Sequence, residues 1–287
     1  MADPRKSHPD NAPGDFFIDT TCIDCPICRQ AAPGIFGDVP DQAVVARQPS
    51  GSDELLRTLI GLVSCPVGSI GSHAPVDLGP AIAALPEPIE GGVHWCGFAS
   101  PDSYGAQSYL IVRSEGNVLV DSPRFAGPLV RRIEDLGGVS LIYLTHRDDV
   151  ADHEKFHRHF GAERIIHEAE TGGDLRVVER PLSGDGPWKL APDLEVIATP
   201  GHTEGHTVLH YRRQYLFTGD HLSGDGRGAL RASRAYNWYS WEMQVESIRK
   251  LAGLSFSWVL PGHGRRHHAE PERMRQDLAT LLKRFAE

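Results

Sequence analysis

LTHRDDVADH, residues 144–153, ends an apolar run with clustered acidic residues and histidines, and three other stretches have the same pattern: TPGHTEGH (199–206), LFTGDH (216–221) and LPGHG (260–264). In each, an apolar run stops at small or turn-forming residues and then presents an imidazole or a carboxylate. This is typical of ligands on loops at one edge of a sheet, where a rigid core holds them. Because imidazoles and carboxylates suit zinc and iron alike, converging groups would bind one or two divalent ions. The four stretches predict a metal site.

Length and composition are those of an ordinary globular protein. The chain has 287 residues, of which 40% are hydrophobic and 23% charged, and its length suggests about two domains. No run approaches the roughly 18 apolar residues of a membrane span, and the start lacks the apolar core of a secretory signal. We therefore expect a cytoplasmic protein with no membrane partner. The net charge of −9 argues against a nucleic-acid partner, because phosphate binding needs a basic face.

Four of the five cysteines lie in the first third of the chain. TCIDCPICRQ (21–30) contains Cys22, Cys25 and Cys28, and LVSCPVGSIG (62–71) contains Cys65. A C-x-x-C-x-x-C run with a remote Cys-Pro is the spacing by which thiolates hold a [4Fe–4S] cluster. No second run of this kind exists, so Cys65 would be the fourth ligand. A four-cysteine zinc site more usually pairs two C-x-x-C knuckles, and disulfides need an oxidising compartment.

The region around these cysteines resembles single-cluster bacterial-type ferredoxins along residues 15–72. The resemblance rests on FFIDTTCIDCPICRQAAPGIFGD (16–38), AVVARQP (43–49) and ELLRTLIGLVSCPVGSI (54–70). It implies a small α+β domain that carries one electron at a time. Pro26 departs from the pattern, since many of these proteins have glycine there.

Four segments follow from this pass along the chain. Residues 1–14 are polar and proline-rich and predict a flexible tail, and residues 15–74 form the ferredoxin-like domain. Residues 75–92 are rich in proline, glycine and alanine and predict a linker. Residues 93–287 alternate short strands with helices, including a hairpin in SYLIVRSEGNVLVDSP (108–123), a helix at 240–252 and a C-terminal helix. Paired strands interspersed with helices suggest two packed sheets with helices outside, an αββα sandwich.

The four metal motifs resemble those of the metallo-β-lactamase superfamily, and most closely its glyoxalase II-like members, over residues 92–287. There a T-H-x-H-x-D-H motif is followed by TPGHT, GD and GH. This chain keeps TPGHT, TGD and PGH. Its first motif departs, because Asp148 stands where the second histidine should be and two extra residues precede Asp152 and His153.

The resemblance implies two metal positions. The first would use His146, His202 and Asp220, with Asp148 as a possible fourth ligand, and the second would use Asp152, His153, His263 and a shared oxygen of Asp220. A carboxylate can bridge two cations through its two oxygens. Helix capping is an alternative role for Asp148, and the favoured one for Asp149.

Three functions remain open at this stage. In a hydrolase of a small ester, thioester or lactone, metal ions would activate water and Asp152 would orient it or take up its proton. An iron-dependent oxidoreductase would instead receive electrons from the ferredoxin domain and a redox partner protein. The resemblance there is to flavodiiron reductases of oxygen or nitric oxide and to persulfide dioxygenases. A non-catalytic redox sensor is the third possibility. The enzymes would act on a small-molecule substrate.

Overall fold

The chain folds into two compact units, and the computed structural model describes residues 2–285. The first unit comprises the residues up to Ser140 together with Ala151–Ala162. The second comprises Leu141–Val150 and the residues from Glu163 onward. These limits differ from the predicted boundaries near residues 75 and 93, because the strands that follow the cysteine region group with it.

The first unit combines five helices with eight short strands. Strands β1 and β4 pair antiparallel, β2 and β3 form a hairpin, and β5 to β8 follow one another as antiparallel neighbours. The helices are α1 Ile27–Ala31, α2 Gly51–Ser64, α3 Gly79–Ala83, α4 Gly127–Asp135 and α5 His153–Phe160. The strands are β1 Phe16–Ile18, β2 Phe36–Val39, β3 Gln42–Val45, β4 Ile70–Ser72, β5 Glu87–Glu90, β6 Val93–Trp95, β7 Tyr109–Ile111 and β8 Val118–Val120.

The segment predicted as a flexible tail has specific partners in this unit. The Asn11 side-chain oxygen accepts from the backbone N–H groups of Ile18 (3.2 Å) and Val45 (2.9 Å), and its amide donates to the Ile18 carbonyl (2.8 Å). The backbone N–H of Asp3 donates to the Asp19 carboxylate. Asn11 therefore joins two strands in the way that a backbone ladder would.

The segment predicted as a linker, residues 75–92, contains regular structure. It forms helix α3 and strand β5, and β5 pairs antiparallel with β6. A proline-rich stretch can enter a sheet at its edge, where a missing backbone donor costs little. The sequence pattern missed this strand because it has no apolar alternation.

The second unit contains eleven strands and two helices. Strands β9, β10 and β11 are parallel neighbours, while β12, β13, β14, β15, β18 and β19 form a six-stranded sheet in that order. The strands are β9 Leu141–Tyr143, β10 Glu163–His167, β11 Arg180–Leu182, β12 Trp188–Ala191, β13 Leu194–Ala198, β14 Thr207–Tyr211, β15 Tyr215–Gly219, β16 Ser223–Gly224, β17 Leu230–Arg231, β18 Trp258–Pro261 and β19 His267–His268. The helices are α6 Trp241–Leu251 and α7 Pro271–Arg284.

Helices α6 and α7 confirm the two helices predicted at the end of the chain. Ser240 caps α6 by accepting from the Met243 N–H, and Pro271 opens α7, where its missing N–H is harmless. Ile248 of α6 and Leu278 of α7 belong to one buried cluster with Val259 of β18. This core holds one face of the six-stranded sheet in place. Among the helices of residues 2–285, none combines the length and apolarity that crossing a membrane requires.

Replacing Asn11 with alanine should destabilise the first unit by about 2 kcal/mol, because backbone groups of two strands lose their partner. The free energy of unfolding in urea, compared with that of Asp10→Ala at an exposed neighbouring position, measures this. Equal unfolding midpoints and equal rates of proteolytic release of the first residues would contradict the docking of the segment.

Candidate metal and cluster sites

Three of the four motifs follow strands that run in one direction. Strand β14 is antiparallel to both β13 and β15, and β15 is parallel to β18. The carboxyl ends of β13, β15 and β18 therefore lie at the same edge of the sheet. His202, Asp220 and His263 follow these ends within four residues. The topology thus explains why residues far apart in sequence meet.

His146, Asp148 and His202 form a first group of donor atoms around one point, and Asp220 lies beside it. His202 Nε2 lies 3.6 Å from Asp148 Oδ2 and 3.7 Å from Asp220 Oδ2. His146 Nε2 lies 3.8 and 4.0 Å from the same two oxygens. These separations are too long for hydrogen bonds. They are slightly wider than the roughly 3.4 Å between tetrahedral ligands of zinc at about 2.1 Å from the metal.

A second group lies beside the first and shares His146 with it. The donor atoms of His146, Asp149 and Asp220 all lie within 4.8 Å of one another. His263 Nδ1 is 2.9 Å from Asp220 Oδ1, 3.0 Å from Asp220 Oδ2 and 3.8 Å from Asp149 Oδ1. Asp220 Oδ2 also faces His146 and His202. The Asp220 carboxylate therefore lies among three imidazoles.

The chemistry of this donor set fits divalent metal ions. His146 Nε2 and His202 Nε2 are buried, and within residues 2–285 neither has a hydrogen-bond partner. A buried nitrogen without a partner is costly, and so are several carboxylates packed together. One or two cations would remove both costs. The Thr145 hydroxyl lies 2.9 Å from His146 Nδ1, which orients the ring with Nε2 toward the other donors.

The charge states suit metal binding as well. Burial lowers the pKa of His146 to about 4, so this imidazole is neutral near pH 7, as a metal ligand must be. Burial alone would raise the pKa of Asp220, but attraction to His263 and the hydrogen bond that its ring donates outweigh burial and hold this pKa below its ordinary value. Asp220 is therefore an ionised carboxylate.

Asp152 and His153, predicted as ligands of the second metal, belong to the first unit. Both oxygens of Asp152 have partners there: Oδ2 accepts from the Phe125 N–H and Oδ1 from Lys155 Nζ, each at 2.7 Å. His153 is buried at the start of α5. Neither residue belongs to the two donor groups found among residues 2–285. The roles predicted for these two residues remain predictions.

Asp149 belongs to the second donor group, although its sequence position did not predict it as a ligand. Helix capping was the favoured role for it, but α5 begins only at His153, so the capping prediction is wrong. The structure instead buries Asp149 beside His263 and Asp220. A signal was present, because Asp149 lies three residues after His146, one short of the spacing that the superfamily motif gives its aspartate.

Glu170 holds two ligand loops together. Its buried carboxylate accepts from the backbone N–H of Arg147, at 2.9 Å, and from that of Gly205, at 2.6 Å. Arg147 follows His146, and Gly205 lies three residues after His202. Arg147 Nε also donates to the same carboxylate, at 2.8 Å. A Cβ on Gly205 would stand 2.9 Å from Glu170 Oε1, so this approach needs a glycine.

The glycines of two motifs leave room for the site. A Cβ on Gly262 would lie 2.2 Å from Asp149 Oδ2 and 3.0 Å from Asp220 Oδ1. A Cβ on Gly219, whose φ is +47°, would lie 2.7 Å from His206 Nε2. His206 itself is buried, with its ring 5.2 Å from that of His146, but it belongs to neither donor group within residues 2–285. Both glycines therefore serve close packing.

The four predicted cluster ligands meet in the first unit. Cys22, Cys25, Cys28 and Cys65 line one cavity, and its remaining walls are largely apolar: Ile18, Ile23, Ile27, Val67, Ser69 and Ile70. Burial raises the pKa of Cys25 to about 12, and the pKa of Cys28 is raised for the same reason. Neighbouring thiolates contribute to both increases. Iron ions that supply positive charge would let these thiols ionise, so the residues fit a cluster.

Arg29 closes the cysteine loop. Its buried guanidinium donates to the carbonyls of Asp24 (3.0 Å) and Cys25 (2.9 Å) and to the Asp24 carboxylate (2.8 Å). Asp24 has a left-handed backbone, with φ of 57°. The side chain therefore fixes the turn between Cys22 and Cys25.

Glu170→Gln should weaken metal binding about 10- to 100-fold, because groups that orient ligands contribute on this scale. Competition with a chromophoric chelator measures the affinity, and Glu168→Gln, an exposed carboxylate two residues away, is the matched control. An unchanged affinity, even with a lower melting temperature of the metal-free protein, would contradict this orienting role.

Cys65→Ser should reduce the cluster content to a small fraction of that in the parent protein, because a thiolate ligand is lost. Cys96→Ser is the control, since Cys96 is also buried but does not line the cluster cavity. Iron and acid-labile sulfide per chain, measured on protein purified without oxygen, give the result. Equal losses in both variants would show that Cys65 is not specifically required.

Two family models match the chain. Residues 18–72 match the 4Fe-4S single cluster domain of Ferredoxin I, and residues 137–263 match the metallo-beta-lactamase superfamily. The first range contains the four cysteines of the cavity. The second contains all six converging side chains: His146, Asp148, Asp149, His202, Asp220 and His263.

Curated relatives include proteins named hydroxyacylglutathione hydrolase. One from Citrobacter koseri is 31% identical over 151 residues, which covers 51% of this chain and 56% of the relative. One from Klebsiella pneumoniae subsp. pneumoniae is 32% identical over 147 residues and covers 49% and 57%. The chain thus spans little more than half the length of these relatives.

Solved structures share the fold. A metallo-beta-lactamase from Pontibacter korlensis is 17% identical, with a TM-score of 0.51 over 68% of this chain and 97% of that one. A metallo-beta-lactamase family protein from Thermus thermophilus is 20% identical, with a TM-score of 0.51 over 68% and 79%. The predicted fold class is confirmed. Residues 18–72 are thus similar to a 4Fe-4S single-cluster domain of ferredoxin type, and residues 137–263 to the metallo-β-lactamase superfamily.

Proposed function

We propose that this protein is a metal-dependent hydrolase that cleaves a small ester, thioester or lactone, with an electron-transfer cluster in the same chain. The observation that carries the proposal is the convergence of three imidazoles and three carboxylates, Asp220 among them, at one site. The names of the curated relatives support it, because a hydroxyacyl derivative of glutathione is a thioester. An acyl thioester is therefore the first substrate class to test.

The site is open on one side. The side chains of Asp148 and His263 are 41% and 30% exposed, whereas those of His146 and Asp149 are fully buried. Water and a substrate carbonyl would therefore approach from the side of Asp148 and His263. His146 and Asp149 would hold the metal ions from the buried side of the site and exclude solvent there.

Each group has a role in this proposal. Bound metal ions would lower the pKa of a water molecule and polarise the scissile carbonyl. Asp220, within 4.0 Å of His146, His202 and His263, would help to hold the metal ions. Asp148, exposed and 3.6 Å from His202 Nε2, would orient the attacking water. We assign to Asp149 the ligand role that the resemblance gave to Asp152, because both oxygens of Asp152 already accept hydrogen bonds.

Asp149→Asn should lower kcat for acyl thioesters by roughly 100-fold or more, since metal-assisted catalysis contributes several kcal/mol. Asp152→Asn should retain most of the activity, because the amide oxygen that this substitution introduces can still accept from the Phe125 N–H. The measurement is thioester hydrolysis by protein loaded with zinc or with ferrous iron, together with metal content per chain.

Two outcomes would overturn these assignments. If Asp152→Asn lost as much activity as Asp149→Asn, the role predicted for Asp152 from the superfamily motif would stand instead. If metal-loaded protein hydrolysed no thioester, ester or lactone but consumed oxygen or nitric oxide when reduced, the protein would be an oxidoreductase.

A further inference from the structure

Large apolar side chains are exposed in one short segment next to the metal site. Of the eight large hydrophobic residues exposed within residues 2–285, four lie between positions 236 and 243. They are Tyr236 (64% exposed), Trp238 (66%), Tyr239 (49%) and Met243 (40%), and we call them the aromatic patch. Trp241, in the same run, is only partly exposed, and its ring packs against that of Phe285 at 5.1 Å.

The backbone of the patch is held firmly. The Trp238 N–H donates to the His202 carbonyl and the Ser240 N–H to the Gly201 carbonyl, both at 2.9 Å. The Asn237 side chain donates to the same Gly201 carbonyl, at 2.8 Å, and to Gln244 Oε1, at 2.6 Å. Exposure of the aromatic rings is therefore a property of an ordered segment bonded to the loop that carries a metal ligand.

The patch is continuous with the metal site. The ring of Trp238 lies 6.3 Å from the ring of His202, edge to face. Gly201 lets the loop that carries His202 lie against α6, because a Cβ there would stand 2.3 Å from Gln244 Cα. A group bound over the Trp238 ring would thus lie next to His202, which we assign to the metal centre.

Exposed apolar clusters of this kind mark binding surfaces. We propose that the aromatic patch binds an apolar substituent of the substrate, an acyl or alkyl chain beside the scissile ester or thioester bond. This inference rests on the proposed hydrolase function and narrows its substrate class. A substrate, rather than a protein partner, is favoured because Trp238 is bonded to the ligand loop and stands beside His202.

The test varies chain length on either side of the scissile bond. Two series of thioesters, one with acyl chains and one with alkyl thiols from two to eight carbons, are hydrolysed by metal-loaded protein. In the parent protein, KM should fall about fourfold per methylene until the patch is covered. Trp238→Ala should flatten this dependence in at least one series, while Val177→Ala, at an exposed apolar position of the same unit, should retain it.

Binding of octyl thioethers, which cannot be hydrolysed, separates this inference from the proposed function. Weaker binding to Trp238→Ala supports the patch even if no thioester is cleaved. Equal chain-length dependence in the parent and Trp238→Ala, with equal thioether affinity, overturns it. The inference is also overturned if the only effect of Trp238→Ala is a loss of self-association or of binding to phosphatidylcholine vesicles. If Trp238→Ala misfolds by circular dichroism, Tyr236→Ala is tested by the same criteria.

Discussion

The crowding of carboxylates and imidazoles around Asp220 is the constraint on which the rest of the second unit depends. Asp220 is ionised, and it lies within 4.0 Å of three imidazoles, namely those of His146, His202 and His263. Such a cluster persists in a folded protein only when its charges are compensated and its atoms are held in place. Compensation requires cations. The ligand atoms are held in place because β13, β15 and β18 run in the same direction and end at one edge of the sheet. The Glu170 carboxylate also holds two ligand loops by accepting from their backbone N–H groups.

The first unit also buries ionisable ligands, but these are cysteine thiols. Cys25 and Cys28 are held where burial opposes ionisation, and Arg29 fixes the turn that presents them. In both units a charged residue outside the ligand set bonds to backbone groups next to the ligands. The geometry of each site is therefore set before any metal binds, which reduces the conformational entropy lost on binding.

Much of both sites could be predicted from the sequence. Cysteine spacing identified the cluster ligands, and apolar runs that end in TPGH, TGD and PGH located His202, Asp220 and His263. These predictions succeed because a strand and the turn after it are local. Asp149 was missed because side-chain direction in an irregular loop depends on the path of the whole loop, which two inserted residues alter. The exposure of Trp238 and its neighbours could not be predicted, because composition does not distinguish a core face from an anchored surface.

Gly262 influences the metal site because a glycine has no Cβ. The oxygens of Asp149 and Asp220 occupy the space that a methyl group at this position would fill. The volume available to the two carboxylates is therefore set by the backbone of the PGH motif and not by the acidic residues themselves. Any lineage that acquired a side chain at position 262 would first have to move a carboxylate. The position of an acidic ligand and the presence of this glycine should consequently change together or not at all.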